Sequence, residues 1–86
     1  MTEEYVNGLD VFRQQISMID IDLLRLLEER VEAAKKIGEI KEFYGMPIYV
    51  PEIEKEKIER LSKACKYPGL VETIWPVIMC YTRSVE

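Results

Sequence analysis

One apolar stripe runs through the first half of the sequence and constrains the fold more than any other feature. From Leu9 to Tyr44, apolar residues recur at alternating steps of three and four, which places them on one face of an α-helix. The stripe consists of Leu9, Phe12, Ile16, Ile19, Leu23, Leu26, Ala33, Ile37, Ile40 and Tyr44, with Arg30 as its single exception. Because no proline occurs before Pro47, the pattern predicts one helix from about Leu9 to Tyr44.

The predicted helix is too long for a compact domain of this size. It would extend about 54 Å, whereas a folded monomer of this length has a radius of gyration of about 12 Å. A second copy of the same helix, running antiparallel, is the simplest cover for the overhanging stripe. The sequence therefore predicts an all-α, intertwined antiparallel homodimer in which residues 1–86 form a single domain.

The rest of the chain predicts two shorter helices, giving three per protomer. The connector at 45–51 contains one glycine and two prolines, and Pro51 suits the first position of a helix ending near Cys65. A turn at 67–69 follows, and a third helix continues from Leu70 to the end of the sequence. Pro76 lies inside it, so we expect a kink or a split, with the principal segment beginning near Trp75.

Composition narrows the classes of function. The formal net charge is −4, and 48% of residues are hydrophobic, which indicates a globular cytoplasmic protein without a nucleic-acid surface or a membrane span. Cys65 and Cys80 have no metal-ligand spacing, so we interpret them as buried free thiols and expect no metal. The sequence contains no histidine, the commonest general base near neutral pH. An enzyme of this composition would work mainly by electrostatics.

Three cations stand out on the predicted long helix. Arg30 interrupts the stripe, and ligand binding and a structural ion pair with a glutamate such as Glu54 are equally good explanations. Lys41 returns to nearly the same face about 16 Å further on, although by itself it fits a lysine at the stripe's edge. Arg13 lies about 26 Å before Arg30, so only a second chain could bring both to one small ligand.

Acidic and hydroxyl residues of the shorter helices are weaker candidates. Glu54 shares a face with Ile58, and the helix dipole explains an acid there less well than it explains Glu52. Thr82 and Glu86 are four residues apart, on one side of the last helix. Taken alone, these two fit ordinary surface positions.

Several short motifs are spread over essentially the whole chain. The segments are Leu9-Asp10-Val11-Phe12-Arg13, Ile19-Asp20-Ile21-Asp22-Leu23-Leu24, Glu29-Arg30, Ile37-Gly38-Glu39-Ile40-Lys41 and Pro47-Ile48-Tyr49-Val50-Pro51-Glu52-Ile53-Glu54. In this order they resemble the helical chorismate mutases. The resemblance implies an isomerase that converts chorismate to prephenate in phenylalanine and tyrosine biosynthesis. This Claisen rearrangement needs no cofactor and no covalent intermediate, so catalysis rests on positioning and charge.

The resemblance also implies roles for individual residues. Arg30 and Arg13 of the partner subunit would hold the two substrate carboxylates. Lys41 would stabilise the charge that develops on the breaking ether oxygen. Glu54 would accept the hydrogen bond of the substrate hydroxyl, and Thr82 falls where the family has a small hydroxyl residue near a carboxylate.

Three residues depart from the family pattern. Val50 stands where an acidic residue would cap the second helix, although its backbone N–H could still serve the substrate, and Ile53 stands where an arginine is usual. Glu86 replaces a glutamine that donates to the ether oxygen. Because an ionised carboxylate cannot donate, Glu86 would have to be protonated, and we expect turnover to rise as pH falls below neutral.

Two other functions remain open. An isochorismate pyruvate-lyase uses the same scaffold, and the losses at Val50 and Ile53 are compatible with it; its products, pyruvate and salicylate, would identify it. A non-catalytic dimerisation or regulatory module that binds a related dicarboxylate is the second alternative. Retention of Arg13, Arg30, Lys41 and Glu54 together argues against this module, because an apolar residue at position 30 would stabilise a purely structural helix more.

Overall fold

Helices are the only regular secondary structure in the described part of the chain. The computed structural model describes residues 3–86, with side chains from Asn7 onward, and contains α1 (Glu3–Tyr44), α2 (Pro51–Ala64) and α3 (Leu70–Val85). Contacts divide the chain into two units, Met1–Arg30 and Val31–Glu86. The all-α class and the order of three helices are confirmed. None of the described helices is long and apolar enough to cross a membrane.

Of the two predicted ends of α1, only the C-terminal one matches the structure. The helix begins at Glu3, six residues before the predicted start, and Gly8 lies inside it. An internal glycine costs about 1 kcal/mol relative to alanine, which a long helix tolerates. The predicted end at Tyr44 is confirmed. There Gly45 has φ 65°, and Met46 N donates to the Lys41 carbonyl at 2.8 Å, which closes the helix in a Schellman motif.

The start of α2 lacks a side-chain cap. Pro51 occupies the first helical position as predicted, and Cys65 is the residue that ends the helix. Val50 precedes it with extended backbone, and its carbonyl accepts the N–H groups of Ile53 and Glu54. A valine side chain cannot accept a hydrogen bond from the first turn, so the predicted loss of the cap is confirmed.

Helix α3 is continuous through Pro76, and the predicted split with a main segment from Trp75 is wrong. Pro76 has no N–H for the carbonyl of Glu72, but both residues are exposed, so water can reach that carbonyl. The turn before α3 is confirmed: Gly69 has φ 80°, in the left-handed region that favours glycine.

Burial differs between the two units. In Val31–Glu86, the side chains of Ala34, Val71 and Met79 are buried, and α2 packs against α3. In Met1–Arg30, no described residue is buried, and every stripe residue is exposed. Both cysteines are free, as predicted, but Cys80 is exposed and Cys65 only half-buried, so the prediction of buried thiols is wrong.

Candidate active site

Lys41 lies in the last turn of α1, and its side chain forms two polar contacts. Its side chain is 18% exposed, and its ammonium Nζ donates to Glu86 Oε1 and to the Ile48 carbonyl, each at 2.8 Å. The first contact reaches the end of α3, and the second reaches the connector between α1 and α2. The two contacts fix the position of the ammonium group.

Glu86 reaches Lys41 because α1 has a glycine at the point of contact. The Glu86 side chain is only 5% exposed, and its backbone N–H donates to the Thr82 carbonyl at 3.2 Å. A Cβ atom at Gly38 would lie 2.5 Å from the Glu86 carbonyl oxygen and 2.8 Å from its Cα. Any side chain at position 38 would therefore displace this end of α3.

Glu54 forms the second partly buried ion pair of this unit, and its partner is Arg83. Arg83 Nη1 donates to Glu54 Oε1 at 2.5 Å and to Oε2 at 2.6 Å. The Glu54 and Arg83 side chains are 24% and 29% exposed. The guanidinium carbon of Arg83 also lies 4.6 Å from the centroid of the Tyr49 ring. The hydrogen bonds to Glu54 raise the pKa of Arg83 above its ordinary value.

Thr82 lies near the end of α3, and Val50 lies just before the start of α2. The Thr82 hydroxyl donates to the Ile78 carbonyl at 2.9 Å, and the residue is half-buried. Val50 is half-buried just before α2.

Arg13 and Arg30 belong to the other unit, Met1–Arg30. Arg13 is exposed and Arg30 is half-buried. Their predicted roles at the substrate stay predictions.

Sequence analysis missed two residues of this site. Gly38 was part of a quoted motif, and a glycine inside a helix is itself a sign of close backbone approach. Arg83 lies next to Thr82 and three residues before Glu86, but no sequence pattern paired it with Glu54.

The two ion pairs define what this unit can do chemically. They provide two cations and two carboxylates, and each pair includes one residue at the end of α3. In the part of the chain that the structure describes, no group of three or more histidine, cysteine or acidic residues could hold a metal ion. Fixed charges and hydrogen-bonding groups of this kind suit a reaction that develops charge without a nucleophile.

Comparison with known proteins identifies the family. Residues 12–86 match the family profile of chorismate mutase type II. The chain belongs to this family. The resemblance inferred from the sequence motifs is therefore confirmed, and the match includes every candidate residue from Arg13 to Glu86.

Individual relatives differ in length. The chain is 39% identical over 69 residues to a chorismate mutase from Methanocaldococcus jannaschii, which covers 80% of this chain and 70% of that protein. It is 47% identical over 58 residues to a bifunctional chorismate mutase/prephenate dehydratase from Aquifex aeolicus, covering 67% of this chain and 16% of that protein. It is also 37% identical over 85 residues to a T-protein from Enterobacter agglomerans, covering 94% of this chain but 23% of that protein. The chain thus spans less than a quarter of the last two relatives.

Proposed function

We propose that this chain is a chorismate mutase that converts chorismate to prephenate in the biosynthesis of phenylalanine and tyrosine. The observation that carries the proposal is the family match over residues 12–86, which includes the paired Lys41 and Glu86. The reaction breaks one C–O bond and forms one C–C bond within a single molecule. It requires neither a cofactor nor a nucleophile, which suits a chain without histidine.

Lys41 is the proposed electrostatic catalyst. An ammonium group has three donors, and Lys41 uses two of them, for Glu86 and for the Ile48 carbonyl. The third donor can serve the ether oxygen of the substrate, where negative charge grows as the C–O bond breaks. Because the other two contacts hold the ammonium in place, little reorganisation is needed during the reaction.

Glu86 is proposed to assist the same oxygen in its protonated form. An ionised Glu86 can only accept, and it then forms the ion pair with Lys41. Once protonated, it can donate to the ether oxygen beside the Lys41 ammonium. This requirement predicts faster turnover below neutral pH.

Glu54, Thr82 and Val50 are proposed to bind the rest of the substrate. Glu54 accepts the hydrogen bond of the substrate hydroxyl, since each carboxylate oxygen keeps a lone pair beyond its bond to Arg83. The Thr82 hydroxyl serves a substrate carboxylate after turning away from the Ile78 carbonyl. Val50 contributes its backbone N–H.

The complete enzyme is proposed to be an intertwined antiparallel homodimer. Exposure of the whole apolar stripe in a single chain supports it, because a second copy would cover this surface. Leu70, Ile74, Val77 and Tyr81 of α3 are exposed as well, which adds apolar surface for a partner. Family resemblance assigns the substrate carboxylates to Arg30 and to Arg13 of the partner subunit. The composition of the chain underlies the proposed cytoplasmic location.

Product analysis tests the proposed activity. The purified protein is incubated separately with chorismate and with isochorismate, beside an Arg30→Ala variant, and products are identified by chromatography. We expect prephenate from chorismate, lost in the variant. Salicylate and pyruvate as the main products would instead assign the lyase, which the uncapped start of α2 at Val50 permits. No product from either substrate would favour a non-catalytic module.

A further inference from the structure

Arg83 joins three parts of the chain at one point. It lies in the last turn of α3, its Nη1 contacts both carboxylate oxygens of Glu54 in α2, and its guanidinium lies against the Tyr49 ring in the connector. The guanidinium is thus held both at its edge and at its face. Neither Tyr49 nor Arg83 belongs to the residues to which the family resemblance assigns a role.

The orientation of the Glu54 carboxylate depends on contacts from outside α2, because the first turn of that helix has no side-chain cap. Glu54 lies in the first turn of α2, which has no side-chain cap at Val50. A glutamate side chain has three rotatable bonds, and several carboxylate orientations are open to it on a helix surface. One Nη1 group bonded to both oxygens selects a single orientation, and each oxygen keeps a lone pair for another donor.

We propose that Arg83 is a positioning residue that holds the Glu54 carboxylate in the orientation that accepts the substrate hydroxyl. The inference rests on the proposed function. Arg83 acts through Glu54 and makes no contact with the substrate. Removing Arg83 should therefore slow the reaction of bound substrate more than it weakens binding.

The test is a double-mutant cycle between Arg83 and Glu54 in the full chain. Arg83→Met keeps the apolar stem of the side chain and removes the hydrogen bonds, and we expect kcat to fall about tenfold with KM changed less than about twofold. In a Glu54→Gln background, Arg83→Met should cause no further loss of kcat, because the carboxylate that it positions is already gone. Arg83→Lys should restore part of kcat.

Matched controls separate positioning from stability. Arg60→Met removes an exposed arginine from α2 and should leave kcat unchanged. Unfolding temperature and helical circular dichroism are measured for every variant. If Arg83→Met lowers only the unfolding temperature, Arg83 is a structural ion-pair partner and the inference is wrong. If Arg83→Met does not fold, Arg83→Lys decides, and a wild-type kcat in that variant overturns the inference.

Two further results would also overturn the inference. A full additional loss of kcat in the Glu54→Gln background would mean that Arg83 acts independently, and a rise in KM alone would mean direct substrate binding. Failure of the proposed function gives a different result, since the unmodified chain would then form no prephenate from chorismate. In that case both the proposed function and the inference fall.

Discussion

Two residues of opposite charge at the end of α3 connect it to different helices. Arg83 pairs with Glu54 of α2, and Glu86 pairs with Lys41 of α1. The pairs are partly buried, so removing one member would leave its partner without its counter-ion. The same side chains therefore contribute to stability and to the proposed chemistry.

Replacing Gly38 with alanine tests the close approach of α3 to α1. The new Cβ would meet backbone atoms of Glu86, so Glu86 must move and the Lys41–Glu86 pair should break. Higher helix propensity, worth about 1 kcal/mol, offsets part of the strain. We expect a loss of activity of at least about tenfold with a small change in the free energy of unfolding, measured by urea titration.

Gly8→Ala is the matched control for this substitution. Gly8 lies in the same helix and has no neighbouring atom within 4 Å of a built Cβ. It should gain up to about 1 kcal/mol of stability from helix propensity and keep its activity. Equal activities for the two variants would contradict the role given to Gly38.

The pH dependence of turnover tests Glu86. If only its protonated form donates to the ether oxygen, kcat should rise as pH falls below neutral. Glu86→Gln carries an amide that donates at acidic and neutral pH alike, so its profile should be flatter and its kcat near neutral pH higher. Steady-state kinetics on both proteins measures this, and identical profiles would contradict the prediction.

At the scale of single helices, a glutamate in the first turn of α3 makes stability depend on pH. The Ser62 hydroxyl and the backbone N–H groups of Glu72 and Gly69 lower the pKa of Glu72 below its ordinary 4.5. A lowered pKa stabilises the folded state above pH 4.5, and this contribution is lost as pH falls through the folded-state value. Glu72→Gln should therefore unfold at a lower temperature at neutral pH, with the difference closing in acid.

Thermal unfolding across this pH range checks the prediction. Glu59→Gln, at an exposed position of α2, removes the same charge and serves as the control. If both variants shift by the same amount at every pH, net charge explains the effect and the local contacts of Glu72 do not.

At the scale of the whole molecule, two inactive variants test the shared site. Arg13→Ala and Arg30→Ala should each be inactive if every site takes Arg30 from one chain and Arg13 from its partner. After the two variants are unfolded and refolded together, half of the dimers are mixed, and one of the two sites in each is intact. We expect about a quarter of the wild-type activity.

Refolding each variant alone is the control, and the mass of the assembly is measured by sedimentation. If the refolded mixture contains mixed dimers but stays inactive, Arg13 and Arg30 of the same chain would serve the same site. A monomeric wild-type protein would contradict the homodimer itself.

Sequence patterns were most informative where the physics is local. The three-and-four spacing, the connector prolines and Gly69 determine the three helices, because each acts through neighbouring backbone. They were less informative about how far each helix continues. Helix α1 extends through Gly8 to Glu3, and Pro76 did not split α3, because hydrogen bonds on both sides maintain a helix through one unfavourable residue.

The sequence alone determined the all-α class, the order of the helices, the family and the residues that its motifs carry. Only the tertiary structure decided that Glu86 pairs with Lys41, that Gly38 makes room for it, and that Arg83 is the partner of Glu54. The physical reason is distance along the chain. Arg83 and Glu54 are 29 residues apart, and no periodic pattern within one helix reports which residues of different helices meet once they pack.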